Sequence, residues 1–132
     1  MSASKPETAV YLTDDPEEAG KKIWKYAFTG GRATAKEQRE LGGKPDKCVV
    51  FKWLEIFFEP DDKALLERYQ ACKNGEILCG HCKRYLIDKV QNFLKEHQRK
   101  REEAKDLMEK FKYTGKLARE QWDKAIPEPL RR

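Results

Sequence analysis

The segment from Gly80 to Lys112 carries apolar side chains at steps of three and four residues, the repeat of one face of an α-helix. The residues on this stripe are Leu86, Val90, Phe93, Leu94, Ala104, Leu107, Met108 and Phe111. The stripe is polar at His97 and Arg101, where we expect the helix to leave the core. The repeat predicts a mostly α-helical chain built around one long helix.

An earlier helix is predicted by the signals at its two ends. Asp15 can cap the first turn and Pro16 suits the first helical position, while Gly30–Gly31 marks the end. We expect its apolar stripe to face the core. The members of the stripe are Ile23, Trp24, Ala27 and Phe28.

Further helices are predicted at four places. Thr34 and Glu37 resemble a capping box and predict a helix over 34–41, which Gly42–Gly43 ends. The segment 48–58 is apolar on nearly every side, so we place it in the core. The other predicted ranges are about 60–71 and a last piece around Trp122. The expected fold is all-α, a bundle of about five helices with one long helix, preceded by a short extended segment near Ala9–Leu12.

Charge suggests a polyanionic partner. The net charge is +5, and the excess of Lys and Arg lies after residue 80. A basic half suits a nucleic acid, although solvated helix faces carry charge of the same kind. No apolar run approaches the roughly 20 residues of a membrane span, and the first residues lack a signal peptide's apolar core. We therefore expect a cytoplasmic protein without a membrane partner.

Four cysteines form a metal-ligand pattern, with Cys48 and Cys72 preceding the knuckle Cys79-Gly-His-Cys82. Two thiolates three residues apart can bind one ion, and four thiolates suit zinc or a four-iron–four-sulfur cluster equally well. Disulfides and free buried thiols remain alternatives. His81 stands between two ligand candidates, and we expect it to point away from the ion.

Several blocks, taken in order, resemble the C-terminal part of archaeal and eukaryotic tryptophanyl-tRNA synthetases. The first block, Met1–Lys5 (MSASK), resembles the KMSAS signature loop. The blocks that follow are Ala27–Arg32 (AFTGGR), Glu37–Arg39, Gly42–Gly43, Phe57–Asp62, the spaced set Tyr69, Gly75, Gly80, Lys83 and Leu86, and Glu96–Arg101. The resemblance spans nearly all 132 residues.

The resemblance implies a remnant of the catalytic domain at residues 1–13 and a helical anticodon-binding domain at 14–132. Met1, Ser2, Ala3 and Ser4 would then belong to the KMSAS loop, which holds ATP phosphates in the full enzyme. The tryptophan pocket and the nucleotide-binding sheet of such an enzyme have no counterpart in this chain. We therefore expect the chain to be an inactive part of an ATP-dependent tryptophan–tRNA ligase, with no catalytic residue of its own.

The resemblance also implies a tRNA-binding set. Arg32 matches the arginine of the family's Arg-Asp pair that recognises anticodon bases, but Ala33 replaces the acidic partner. The neighbouring candidates are Thr34, Lys36, Gln38 and Arg39. Basic residues 99–101 could follow the phosphate backbone, although a solvated helix face explains them as well.

The cysteines gain a further interpretation, since some bacterial members of the family hold a four-iron–four-sulfur cluster at nearly this spacing. Zinc and disulfides stay open, because the first interval here is one residue longer. The partners implied are tRNA(Trp) and the missing catalytic domain, with the chain alone monomeric and the full enzyme a homodimer. The competing hypotheses are a free-standing, metal-stabilised nucleic-acid adaptor and a structural dimerisation domain.

Overall fold

The computed structural model describes residues 4–112 and 114–125, with the backbone alone at Glu109. None of these residues lies in a β-strand, and the predicted all-α fold with one long helix is confirmed. Two compact units divide the chain, one reaching Glu96 and the other starting at His97. The predicted domain boundary after residue 13 stays a prediction.

The helices are, in chain order, α1 (Pro16–Tyr26), α2 (Ala35–Leu41), α3 (Val49–Trp53), α4 (Asp62–Lys73), α5 (Cys79–Glu103), α6 (Met108–Phe111) and α7 (Lys116–Ala125). Short 3₁₀ turns occupy Pro6–Thr8, Pro45–Lys47 and Lys105–Leu107, and α3 continues as a π-helical turn over Leu54–Phe58. Within the described ranges, no helix combines the length and hydrophobicity that a membrane span requires.

The helix starts follow the capping signals. The Asp15 carboxylate accepts from the first free amides of α1, those of Glu17 at 2.9 Å and Glu18 at 3.2 Å. Thr34 Oγ1 accepts from the Glu37 amide at 3.1 Å and starts α2 in the same way. These bonds satisfy backbone donors that have no partner within the helix, so the predicted starts are confirmed.

The predicted helix over 80–112 is too long. α5 ends at Glu103, and the 3₁₀ turn that starts at Lys105 separates it from α6. The last buried side chain of α5 is Leu94, so no packing in the described chain selects a straight continuation. Local apolar spacing suits a long helix followed by a short one as well as a single longer helix, which explains the error.

The core of the first unit lies between α1, α3 and α5. Its buried apolar side chains are Ala19, Ile23, Ala27, Cys48, Val50, Phe51, Leu54, Leu86, Val90 and Leu94. The inner face of α5 consists of Leu86, Val90 and Leu94, each about one helical turn after the one before, as the apolar repeat predicts.

Two predicted core assignments are wrong in part. Of the first apolar stripe, Ile23 is buried, whereas Trp24 is 47% exposed and Phe28, which lies beyond the end of α1, is 64% exposed. In the apolar segment 48–58, Ile56 and Phe57 are exposed because the helix packs on the core by one face only. In the predicted extended segment the backbone of Ala9 is extended, but residues 9–12 form no strand.

Candidate nucleic-acid interface and thiol cluster

The loop between α1 and α2 is held against the chain that follows α2. The Lys44 amide donates to the Gly30 carbonyl at 2.8 Å. A Cβ on Gly30 would lie 2.0 Å from the Lys44 carbonyl oxygen, a distance that no side chain could tolerate. Glycine at position 30 therefore permits the backbone approach that places Arg32.

Arg32 is half-buried, and the C-terminal end of α2 fixes its side chain. Its Nε donates to the Gly42 carbonyl at 2.8 Å, and its Nη2 donates to the Leu41 carbonyl at 3.3 Å. Helix C-termini carry partial negative charge, so the guanidinium sits in a favourable field. A guanidinium has five N–H donors and two flat faces. The two hydrogen bonds to carbonyls fix the orientation in which the guanidinium presents its other donors and its faces to a ligand.

Arg32 lines a shallow cleft of about 180 Å³. The other lining residues are Ala33, Thr34, Ala35, Gln38, Leu78 and Cys79. We name this the Arg32 cleft. Of the predicted tRNA-binding residues, Arg32, Thr34 and Gln38 meet here, whereas Lys36 and Arg39 are exposed on α2 outside its lining.

Gln38 supports the cleft from beneath. It is only 3% exposed. Its Oε1 accepts from the Arg32 amide at 3.1 Å, and its Nε2 donates to the carbonyls of Cys72 at 3.5 Å and Ile77 at 3.4 Å. One amide thus joins the Arg32 loop to the end of α4 and the approach to α5, so the structure gives Gln38 a positioning role.

The four cysteines line one small cavity of about 10 Å³, the space of a single water molecule. Cys48 precedes α3, Cys72 lies in the last turn of α4, and Cys79 and Cys82 lie in the first turn of α5. All four are free thiols. In the described chain no three His, Cys, Asp or Glu side chains are already arranged as ligands of one metal ion.

Glycines form the wall of this thiol cluster. A Cβ on Gly31 would lie 2.3 Å from Cys79 Sγ, and a Cβ on Gly43 would lie 2.7 Å from Cys72 Sγ. Each of these glycines therefore leaves room for one sulfur. The sequence suggested only helix ends at the two Gly-Gly pairs, and the contact to sulfur was missed because it joins residues far apart in the chain.

The surroundings favour the protonated form of two of the thiols, Cys72 and Cys82, whose pKa values are raised. Burial raises the pKa of Cys72 to about 11, and the neighbouring sulfurs of Cys82, Cys79 and Cys48 add to the shift. Burial also raises the pKa of Cys82, despite the positive charge of Arg68. Neutral, buried thiols are poor nucleophiles, and a bound cation is the usual means of deprotonating them.

Arg68 is the one cation that lines the thiol cavity in the described chain, and sequence reasoning missed it. Its Nη1 lies 3.9 Å from Cys82 Sγ, and its guanidinium lies 3.9 Å from the centre of the Tyr85 ring. The spacing of Arg68 and Cys72, four residues apart on one helix, was the signal available in the sequence.

Tyr85 connects Arg68 to a carboxylate. The Tyr85 hydroxyl donates to Glu59, which also accepts from Lys89 Nζ at 3.2 Å and from the Asp61 amide at 3.3 Å. The Tyr85 hydrogen bond is the main cause of a lowered pKa at Glu59, against the opposing effect of burial. This network fixes the ring on which Arg68 stacks.

The remaining predicted site residues are separate from these features. Met1, Ser2 and Ala3 lie outside the described residues, and Ser4 is exposed in a turn. Residues 99–101 are exposed on α5, where Arg99 forms an ion pair with Glu103.

Comparisons with known proteins agree on one family. The family model for tRNA synthetases class I (W and Y) matches residues 1–95. The tryptophan–tRNA ligase of Thermococcus sibiricus is 89% identical over the whole chain, which spans 34% of that relative. The enzyme of Pyrococcus furiosus is 78% identical with the same coverage, so the chain spans about a third of these relatives.

Solved structures show the same similarity. The tryptophanyl-tRNA synthetase of Aeropyrum pernix is 45% identical with a TM-score of 0.74, covering 80% of this chain and 29% of that one. The enzyme of Giardia lamblia is 41% identical with a TM-score of 0.73, covering 77% and 25%. The chain therefore belongs to the class I tRNA synthetases of the tryptophan and tyrosine family, and within it to the tryptophanyl type.

Proposed function

We propose that the chain is the anticodon-binding part of a tryptophan–tRNA ligase and binds tRNA(Trp) at the Arg32 cleft. The observation that carries this proposal is the guanidinium held at an accessible cleft by two α2 carbonyls and a buried glutamine. Attachment of tryptophan to the tRNA, driven by ATP, would take place on the catalytic domain of the full enzyme.

The chemistry of the cleft suits unpaired RNA. An arginine can stack its flat face on a base, donate to a base edge or bind a phosphate. Ala33 offers no side-chain hydrogen bond, so the readout at this position rests on Arg32 and on backbone groups of its loop. The Thr34 hydroxyl accepts from the Glu37 amide, and as a hydroxyl at the cleft lining it can also donate to a ligand.

Arg32→Ala tests this role, with Arg119→Ala as the control because Arg119 is an exposed arginine of α7. The assay is fluorescence anisotropy with a labelled RNA stem-loop that carries the CCA anticodon. One well-placed arginine contact is worth about 1–3 kcal/mol, so we expect roughly a tenfold loss for Arg32→Ala. Equal effects of the two variants would contradict the proposal.

We also propose that the thiol cluster holds a metal centre, either zinc or a four-iron–four-sulfur cluster. The cavity of about 10 Å³ suits a single ion, and a cluster would require the four thiols to move apart. The support is the donor set: four thiols at one cavity, two glycines that make room for sulfur, and Arg68 to offset thiolate charge. Cys48, Cys72, Cys79 and Cys82 would be the ligands. The centre would supply cross-links between α3, α4 and α5 beneath the Arg32 loop.

Metal analysis of protein purified without air tests the metal centre. Iron and sulfide with visible charge-transfer absorption would identify a cluster, and one colourless zinc per chain would identify the alternative. Cys82→Ser should lose the metal, whereas His81→Ala, which changes an exposed residue between two ligands, should keep it. Four titratable thiols without metal, or disulfides, would contradict the proposal.

For assembly, we propose that the chain alone is monomeric and that the full enzyme is a homodimer through its catalytic domain. Light scattering that gave a dimer mass for the chain alone would contradict this proposal.

A further inference from the structure

Trp24 is the most exposed large aromatic residue of α1, with 47% of its surface open to solvent. Its neighbours in the helix, Ile23 and Ala27, are buried, so the position of the ring does not result from a poorly packed helix. Gly80 lies behind the ring, since a Cβ there would be 3.6 Å from Trp24 Cη2. The indole thus approaches α5 at Gly80 and keeps about half of its surface open to solvent.

Two cations of α5 lie over this indole, each at the outer limit of a cation–π contact. The guanidinium carbon of Arg84 lies 5.8 Å from the ring centre, and Lys83 Nζ lies 6.0 Å from it. Lys83 Nζ also donates to the Trp24 carbonyl at 2.6 Å, which ties α5 to the backbone that carries the ring. We name Trp24, Lys83 and Arg84 the Trp24 platform.

The Trp24 platform and the Arg32 cleft lie on the two sides of one short stretch of chain. Leu78 and Cys79 line the cleft, and the next residue, Gly80, supports the indole. The cleft and the platform therefore border neighbouring residues at the start of α5.

Exposed aromatic rings combined with nearby cations are common in proteins that bind single-stranded nucleic acid. The ring stacks on a base of any kind, and the cations contact the phosphate next to it. We propose that the Trp24 platform stacks one unpaired base of the RNA held at the Arg32 cleft, with Lys83 and Arg84 contacting the adjoining backbone. This inference rests on the proposed function and adds a second contact to it.

The test uses the anisotropy assay and three tryptophan variants. Trp24→Ala should weaken binding of the CCA stem-loop by about tenfold, while Trp24→Phe keeps an aromatic face and most of the affinity. Trp122→Ala is the control, because Trp122 is 66% exposed on α7 and belongs to neither site. Arg84→Ala should reduce the salt dependence by about one phosphate contact, and Arg119→Ala should not.

A photochemical measurement guards against misfolded variants. Irradiation of the wild-type complex should cross-link a loop nucleotide to the peptide that contains Trp24. If Arg32→Ala weakens binding but Trp24→Ala matches its control and no such cross-link forms, the platform is wrong and the cleft stands. If the wild-type chain binds no stem-loop, both proposals fail.

Discussion

Replacing Gln38 with leucine tests how the Arg32 cleft is supported. Leucine fills a similar space but cannot hydrogen-bond, so the partly buried Arg32 amide loses its acceptor and the Ile77 carbonyl loses this donor. The Cys72 carbonyl is less affected, because the Gly43 amide donates to it at 2.8 Å and the Gly75 amide at 3.2 Å. Two partly buried groups that each lose a hydrogen bond, at about 1 kcal/mol each, predict a destabilisation of about 2 kcal/mol.

Guanidinium chloride unfolding measures this loss. For a chain of this size, a denaturant slope of about 4 kcal/mol per molar converts 2 kcal/mol into a midpoint lowered by about 0.5 M. Gln70→Leu is the matched control, since Gln70 is exposed on α4. The affinity for the stem-loop should also fall in Gln38→Leu, because the loop that carries Arg32 is released. If both glutamine variants unfold at the same midpoint, the buried amide does not hold the site.

Gly31→Ala should lower both the stability and the metal content, because the new Cβ would lie 2.3 Å from Cys79 Sγ. Gly80→Ala is the control and should be tolerated, since its Cβ would make an ordinary contact with Trp24 at 3.6 Å. Unfolding and metal analysis of both variants check this, and equal results would exclude the proposed glycine wall. The Glu59 side chain is 6% exposed, and its pKa lies below the ordinary value of a glutamate. The ionised carboxylate therefore stabilises the fold at a pH above the unfolded-state pKa, and this stabilisation is lost as the pH falls through the folded-state pKa. Glu59→Gln should therefore be less stable than wild type at neutral pH and approach it in acid; a constant difference across acid titration of the unfolding midpoint would refute this reasoning.

Local signals in the sequence predicted local structure well. Asp15 and Thr34 cap the helices that they were expected to start, because a cap needs only a side-chain oxygen within a few residues of the amides it satisfies. The convergence of the cysteines could also be anticipated, since Cys79 and Cys82 share one helical turn and Cys72 lies just before it.

Contacts between distant segments could not be predicted in this way. Trp24 fits the apolar spacing of α1, and only the packing of α1 on α5 decides that Ile23 is buried and Trp24 is open. The contact between Gly31 and Cys79 Sγ could not be predicted for the same reason. In the sequence a Gly-Gly pair indicates only the end of a helix, and the nearby sulfur belongs to a distant segment. The side chains that the sequence misplaced are therefore those whose environment depends on tertiary packing.

The proposed role depends most on recognition of an anticodon loop by the Arg32 cleft. The direct test is the affinity of the chain for two stem-loop RNAs that differ only in the anticodon, measured over a range of salt concentrations. We predict salt-sensitive binding that favours the CCA loop by about tenfold. Equal affinity for the CCA loop and the swapped loop at every salt concentration would contradict anticodon recognition by this chain.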